Sequence, residues 1–133
     1  MRTGLFASLF LIIIQNNCTI KPKHIMSIDY PVSYFDQNNN KYLITETEVI
    51  YEPVSISYSS SGQYQGGTAF TKKLEARTKL KLERIIIEII SDKTIHKTNR
   101  DKTTTMLKKG DKLYILKAGE QSKTLEDVLR GIE

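Results

Sequence analysis

The chain has 133 residues, of which 39% are hydrophobic and 26% charged, and its formal net charge is +5. This length allows one domain, and the composition excludes a collagen-like, a wholly disordered or a disulfide-rich protein. One cysteine and two histidines leave no ligand set for a zinc cluster and few candidates for acid–base catalysis. We therefore predict a small globular domain that holds no metal and no other cofactor.

The first residues have the layout of a secretory signal peptide. Arg2 gives a positive start, residues 4–14 form a run of 11 that is apolar except for Ser8, and Gln15 begins a polar stretch. A membrane-spanning helix needs about 20 apolar residues. We predict that residues 1–17 are a signal peptide that is removed.

Cys18, the only cysteine, follows this leader directly. Together they resemble the precursors of bacterial lipoproteins, in which such a cysteine is acylated and becomes the first residue. The resemblance implies a palmitate-type anchor on Cys18 that holds the protein to a membrane of the cell envelope. Surface-exported lipoproteins of Bacteroidetes carry acidic residues after the cysteine, whereas Lys21 and Lys23 stand here, which implies a periplasm-facing domain. The alternative is an ordinary signal peptide that leaves Cys18 as a free thiol.

Residues 18–40 end in the polar run 36–40, which is typical of a linker. We predict that they form a flexible tether between the lipidated cysteine and the domain, which then covers residues 41–133.

Alternating apolar residues predict two strands, or one bent strand, within residues 41–58, interrupted at Pro53. A Gly/Ser-rich loop follows. Residues 70–92 carry apolar side chains at helical spacing and predict one long helix, although the β-branched run 85–87 leaves a strand as the alternative.

Three short strands are predicted at residues 94–98, 103–107 and 113–116, the last two joined by a hairpin loop with Gly110. A capping-box pattern at Thr124 then predicts the start of a short C-terminal helix. The predicted fold is a small single α+β domain with an antiparallel sheet, one long helix and a short C-terminal helix.

The loop at residues 59–67 is the most unusual stretch of the domain. It has the glycine spacing of a phosphate-binding loop but lacks the lysine that follows in that motif. A flexible connection is one interpretation, and a partner-binding loop with Tyr64 as an exposed aromatic anchor is the other. The candidate partner-binding residues are Ser61, Gly62, Tyr64, Gly66 and Gly67. This stretch and residues 95–100 also resemble segments of small lipoproteins of Bacteroidetes, a resemblance that implies no activity.

Charge is segregated along the chain. Residues 25–52 hold one lysine and five carboxylates, net −4, whereas residues 93–117 hold eight basic residues and two aspartates, net +6. This pattern favours an acidic partner, or pairing of the two segments inside the fold. An exported chain rarely meets nucleic acid, so we predict none. The predicted basic patch consists of Lys93, Lys97, Arg100, Lys102, Lys108, Lys109 and Lys112.

Three functional hypotheses follow. The first is a lipid-anchored, non-catalytic module that binds a partner protein or an anionic envelope component. The second is a periplasmic inhibitor or immunity-type protein that uses the loop at residues 59–67 to plug an active site. The third is a hydrolase in which a serine is activated by His96, the only histidine of the predicted domain. We favour the first and predict no catalytic residue.

Overall fold

The computed structural model describes residues 27–59 and 61–132, so the predicted signal peptide, Cys18 and residues 19–26 of the predicted tether lie outside it. The described residues form a seven-stranded antiparallel sheet and two helices, which confirms the predicted α+β fold. The strands are β1 (Val32–Phe35), β2 (Lys41–Ile44), β3 (Glu48–Glu52), β4 (Phe70–Lys73), β5 (His96–Lys97), β6 (Thr105–Lys109) and β7 (Lys112–Leu116), and the helices are α1 (Ala76–Ser91) and α2 (Glu120–Arg130).

The strand order across the sheet is β4-β3-β2-β1-β6-β7-β5, which makes β1 the central strand. The predicted tether is therefore wrong from residue 28 onward, since Ile28 is already buried in the core. Val32 and Tyr34 are fully buried, and the side chains of Asp36 and Asn40 are buried just after the strand. The domain therefore begins before residue 41. Strand β1 was not predicted because an alternation of four residues is too short to stand out beside the polar run 36–40.

Both helices cover the same face of the sheet. Inward-pointing strand residues such as Ile44 and Leu107 form one core with Leu82, Ile86 and Leu129 of the helices, and all five are fully buried. The buried residues of α1 all lie from Leu82 onward, in the part of the helix that packs most closely on the sheet. Among the described residues, no helix is long and apolar enough to cross a membrane.

Several predicted boundaries are corrected. The segment predicted as a second strand at residues 54–58 is irregular and ends in a short 3-10 helix, Ile56–Tyr58. The predicted long helix begins later, at Ala76, because Phe70–Lys73 pairs with β3 as an edge strand. Thr124 lies inside α2, where its hydroxyl donates to the carbonyl oxygen of Glu120 at 2.8 Å, so it is not a cap.

The two ends of the sheet carry different loops. Val32 lies opposite Ile44 and Lys109, so the chain entering β1 shares one end with the turns at residues 45–47 and 110–111. We call this the proximal end. Phe35 lies opposite Lys41 and Met106, so residues 36–40, 53–69 and 98–104 lie at the other end, which we call the distal end.

Tyr34 connects the sheet to α2 and gives the fold a predicted alkaline limit. Its hydroxyl donates to Glu126 Oε1 at 2.7 Å, and burial, followed by the nearby Glu126 carboxylate, raises the pKa of Tyr34 far above its usual value. Because the folded pKa is raised, the stabilisation is complete below the unfolded pKa of about 10 and is lost as pH rises above it. We expect the free energy of unfolding to fall by up to about 1.4 kcal/mol per pH unit above pH 10 from this group.

Urea unfolding between pH 8 and pH 11.5 measures this slope. The Tyr34→Phe variant is the control, since it keeps the ring and removes the ionisable group. We expect the free energy of unfolding to fall less steeply with pH in Tyr34→Phe than in the native protein. The pH dependence that remains in the variant is expected from Tyr30, whose pKa is also raised by burial and by Glu83. Identical slopes in the two proteins would contradict the prediction.

Candidate functional site

Residues 53–69 connect β3 to β4 and form what we call the distal loop. Two hydrogen bonds fix its second half: Gly66 N donates to the Val54 carbonyl oxygen in the first half of the loop at 3.3 Å, and Tyr51 Oη of β3 donates to the Gly66 carbonyl oxygen at 2.5 Å. Gly66 is required for this close approach, because a Cβ atom there would stand 2.0 Å from Asn40 Oδ1. The loop is therefore fixed at its base.

Asn40 is the buried centre of this base. Its Nδ2 donates to Asp36 Oδ2 and to Tyr64 Oη, both at 2.7 Å, and its Oδ1 accepts from Val54 N at 3.0 Å. One amide side chain thus joins the turn after β1 to both halves of the distal loop. This role of Asn40 was not predicted from the sequence, because an Asn-rich run such as residues 38–40 is typical of a linker.

Tyr64 is not an exposed anchor, which corrects the sequence-based expectation. Its side chain is half-buried, and its hydroxyl oxygen accepts the hydrogen bond from Asn40. Its backbone N–H also donates to Ser59 Oγ at 3.3 Å. Tyr64 positions the loop, and a different aromatic residue is presented to solvent.

The exposed part of the loop is the 3-10 helix Ile56–Tyr58. Tyr58 is 84% exposed and Ile56 is 49% exposed. Both have large hydrophobic side chains, which are usually buried. Ser61 and Gly62 are exposed in the following turn, with Gly62 in the left-handed region at a φ of 66°. Of the predicted loop residues, these two lie at the surface beside the exposed pair.

An open cavity of about 390 Å³ adjoins the loop at the β4 edge of the sheet. Its back consists of the rings of Tyr51 and Phe70, whose centroids are 5.2 Å apart in a stacked arrangement. Backbone from residues 66–69, which includes the predicted Gly66 and Gly67, forms the rest of the lining with Lys72. The arrangement offers an aromatic surface, peptide groups and one cation to a ligand.

The predicted basic patch is divided between the two ends of the sheet. Lys97 pairs with Asp101, and Arg100 donates to Asn39 Oδ1, both at the distal end. Lys108 and Lys109 are the last residues of β6 and lie at the proximal end, where Lys109 Nζ is 3.6 Å from Asp29 Oδ2. Because β6 separates the groups by roughly 14 to 17 Å, they do not form one surface. The acidic and basic segments are neighbours in the fold, since β1 pairs with β6.

His96 lies far from the serines of the distal loop. It belongs to β5, at the opposite edge of the sheet from β4, about 25 to 30 Å away at the usual strand spacing. Its Nε2 lies 2.8 Å from the Ile89 carbonyl oxygen, and its ring packs against Tyr114. His96 is therefore an interior-facing residue of an edge strand, and a pairing with Ser59 or Ser61 is not possible in this fold.

Within residues 27–59 and 61–132, no group of three or more His, Cys, Asp or Glu side chains could hold a metal ion. Comparisons of the chain with protein-family models, with curated proteins and with solved structures find no match. The distal loop and its cavity are thus the candidate site on geometry alone.

Proposed function

We propose that this protein is a lipid-anchored cell-envelope protein that acts as a non-catalytic binding module and contacts its partner through the distal loop. One observation carries the proposal: the apolar turn at Ile56 and Tyr58 is exposed, held on a fixed base, and located at the end of the domain opposite the entering chain. Exposed aromatic residues on a rigid scaffold are typical anchors of protein interfaces.

The position of the loop agrees with an anchor at Cys18. The described chain enters at the proximal end, so a domain attached through its N-terminal segment would present the distal loop away from the membrane. Two or three acyl chains, at about 0.8 kcal/mol per buried methylene, would hold the protein permanently. A partner protein is favoured over an anionic component because the exposed group at this end is apolar and the distal cations Lys97 and Arg100 already have partners.

The experiment replaces Tyr58 with a photoreactive phenylalanine in the full chain, expressed in its own cell envelope. We expect discrete cross-linked products on irradiation, because Tyr58 would lie inside the interface. The matched control carries the same group at Lys81, an exposed position on α1, and should give none of these products. If the two positions gave the same products, or position 58 gave none, the loop would not be the binding surface.

A second arm tests the anchor and the alternatives. Cys18→Ala should move the protein from the membrane fraction to the soluble fraction and abolish labelling by an alkyne analogue of palmitate. A salt wash separates the two kinds of partner, since a contact made by Lys108, Lys109 and Lys112 with an anionic component would fail at about 1 M salt, whereas an apolar contact through Tyr58 would persist. An inhibitor-type role makes a further demand: the cross-linked partner should be an enzyme. The native chain should then lower the activity of that enzyme, whereas the Tyr58→Ser variant should not.

A further inference from the structure

Strand β4 forms one outer edge of the sheet, and only its inner side is paired among the residues that the structure describes. Leu74, the residue after the strand, donates its N–H to the Thr47 carbonyl oxygen at 2.8 Å, in register with the pairs of β4 and β3. Hydrogen-bonded and non-hydrogen-bonded pairs alternate along an antiparallel ladder, so the peptide groups of Phe70 and Lys72 also bond to β3. Those of the other two residues of β4 point away from the sheet.

The outward peptide groups belong to Thr71 and Lys73, and both residues are exposed. Their N–H donors and C=O acceptors therefore line the outer edge of β4 at the spacing of a strand. An edge of this kind can pair with a further strand, and extended peptides bind some proteins by adding to a sheet in this way. The edge thus favours an occupant with an extended backbone.

The side chains of Phe70 and Lys72 indicate which extended segment fits. Both lie on the helix side of the sheet, because Lys72 is paired with the buried Val49. Both also line the open cavity of about 390 Å³, in which the Phe70 ring stacks on Tyr51 and Lys72 is the charged residue. Among the described residues, Lys72 has no ion-pair partner. The cavity therefore presents an aromatic ring beside an unpaired cation.

A segment added antiparallel to β4 would place two of its side chains over this cavity. The residues opposite Phe70 and Lys72 would form non-hydrogen-bonded pairs, in which Cα atoms are about 4.5 Å apart and side chains are closest. An aromatic residue fits opposite Phe70, where the two rings can stack, and a carboxylate fits opposite Lys72. In the antiparallel direction the segment then reads, from its N-terminal side, acidic residue, any residue, aromatic residue.

We propose that the outer edge of β4 binds an extended segment of the partner protein with this acidic-x-aromatic order, as a further antiparallel strand. The inference deepens the proposed function and rests on it for the existence of a partner, since the cavity adjoins the distal loop. A second copy of the chain does not fit. Antiparallel pairing of two β4 strands would bring Lys72 and Lys73 of both copies into one ladder, where like charges are destabilising.

The first test uses a fluorescent peptide, Ser-Thr-Glu-Val-Phe-Thr-Ser, whose binding to the full chain in a mild detergent is followed by fluorescence anisotropy. We expect saturable binding. Methylation of the valine nitrogen should weaken it at least about tenfold, because that N–H would donate to the Thr71 carbonyl oxygen. Methylation of the glutamate nitrogen is the matched control and should weaken it less than about threefold, because that N–H would point away from β4. Equal effects of the two methyl groups, or no saturable binding, would overturn the proposal.

The second test exchanges the charges. Lys72→Glu should weaken binding of the peptide about three- to tenfold, because like charges would then lie directly opposite each other. A peptide with lysine in place of glutamate should bind Lys72→Glu better than it binds the native chain. Lys81→Glu on α1 is the control, and we expect it to change the affinity less than about twofold. Circular dichroism verifies that both variants are folded, and a loss in Lys72→Glu that the lysine peptide does not reverse would contradict the pairing.

Failure of this inference is distinguishable from failure of the proposed function. Discrete cross-links from position 58 without peptide binding would overturn the β4 site and leave the contact through the distal loop standing, and peptide binding without those cross-links would do the reverse. A dimer of the native chain that Thr71→Pro abolishes would identify a second copy as the occupant and overturn the proposal. Proline serves here because it removes an outward N–H and leaves the bonds to β3 in place.

Discussion

Replacement of Asn40 by alanine is expected to lower the free energy of unfolding by about 3 to 5 kcal/mol. The side chain is 3% exposed and makes three hydrogen bonds, two as a donor to Asp36 and Tyr64 and one as an acceptor from Val54 N. Alanine removes all three and leaves Val54 N and one carboxylate oxygen of the buried Asp36 without these partners. The expected loss therefore exceeds that of a single surface hydrogen bond.

Urea unfolding followed by circular dichroism measures the Asn40→Ala effect. Asn38→Ala is the matched control, because Asn38 is exposed in the same turn and only its backbone N–H donates to Asp36. We expect the control to change the free energy of unfolding by no more than about 0.5 kcal/mol. Similar losses in the two variants would show that Asn40 does not hold the distal loop.

Gly66→Ala is expected to cost about 3 kcal/mol, because the added Cβ atom would stand 2.0 Å from Asn40 Oδ1 and 2.8 Å from Pro53 Cβ. Neither neighbour can move easily: Asn40 is held by its three hydrogen bonds, and Pro53 has a ring-restricted backbone. The loop should instead be displaced from β3. A weaker hydrogen bond from Tyr51 Oη to the Gly66 carbonyl oxygen would follow.

Gly119→Ala is the control for Gly66→Ala, since the nearest atom to a Cβ at Gly119 is 3.9 Å away, and we expect a loss below about 1 kcal/mol. A double-mutant cycle tests the contact itself. Because Asn40 supplies the closest atom, Asn40→Ala and Gly66→Ala together should cost less than the sum of the single changes. Strict additivity would contradict a direct overlap between the two positions.

The residues of the candidate site were only partly predictable from the sequence. The Gly/Ser-rich composition of residues 59–67 indicated the loop, because glycine in that pattern does not continue a strand or a helix. Which aromatic residue faces solvent was not predictable, since Tyr58 ended an alternating stretch and Tyr64 stood alone among polar residues. The difference depends on Asn40, 24 residues before Tyr64, whose side chain draws the Tyr64 hydroxyl inward.

Local patterns determined the fold class, the existence of two helices and the hairpin at Gly110, because periodicity and turn residues act over a few positions. The tertiary structure alone decided that Val32–Phe35 is the central strand and that Phe70–Lys73 is an edge strand. Four-residue strands have little preference of their own, and they form because neighbouring strands satisfy their peptide groups. The same long-range pairing placed Leu43 beside Ile50 and Phe35 beside Met106, contacts that no single segment of the sequence displays.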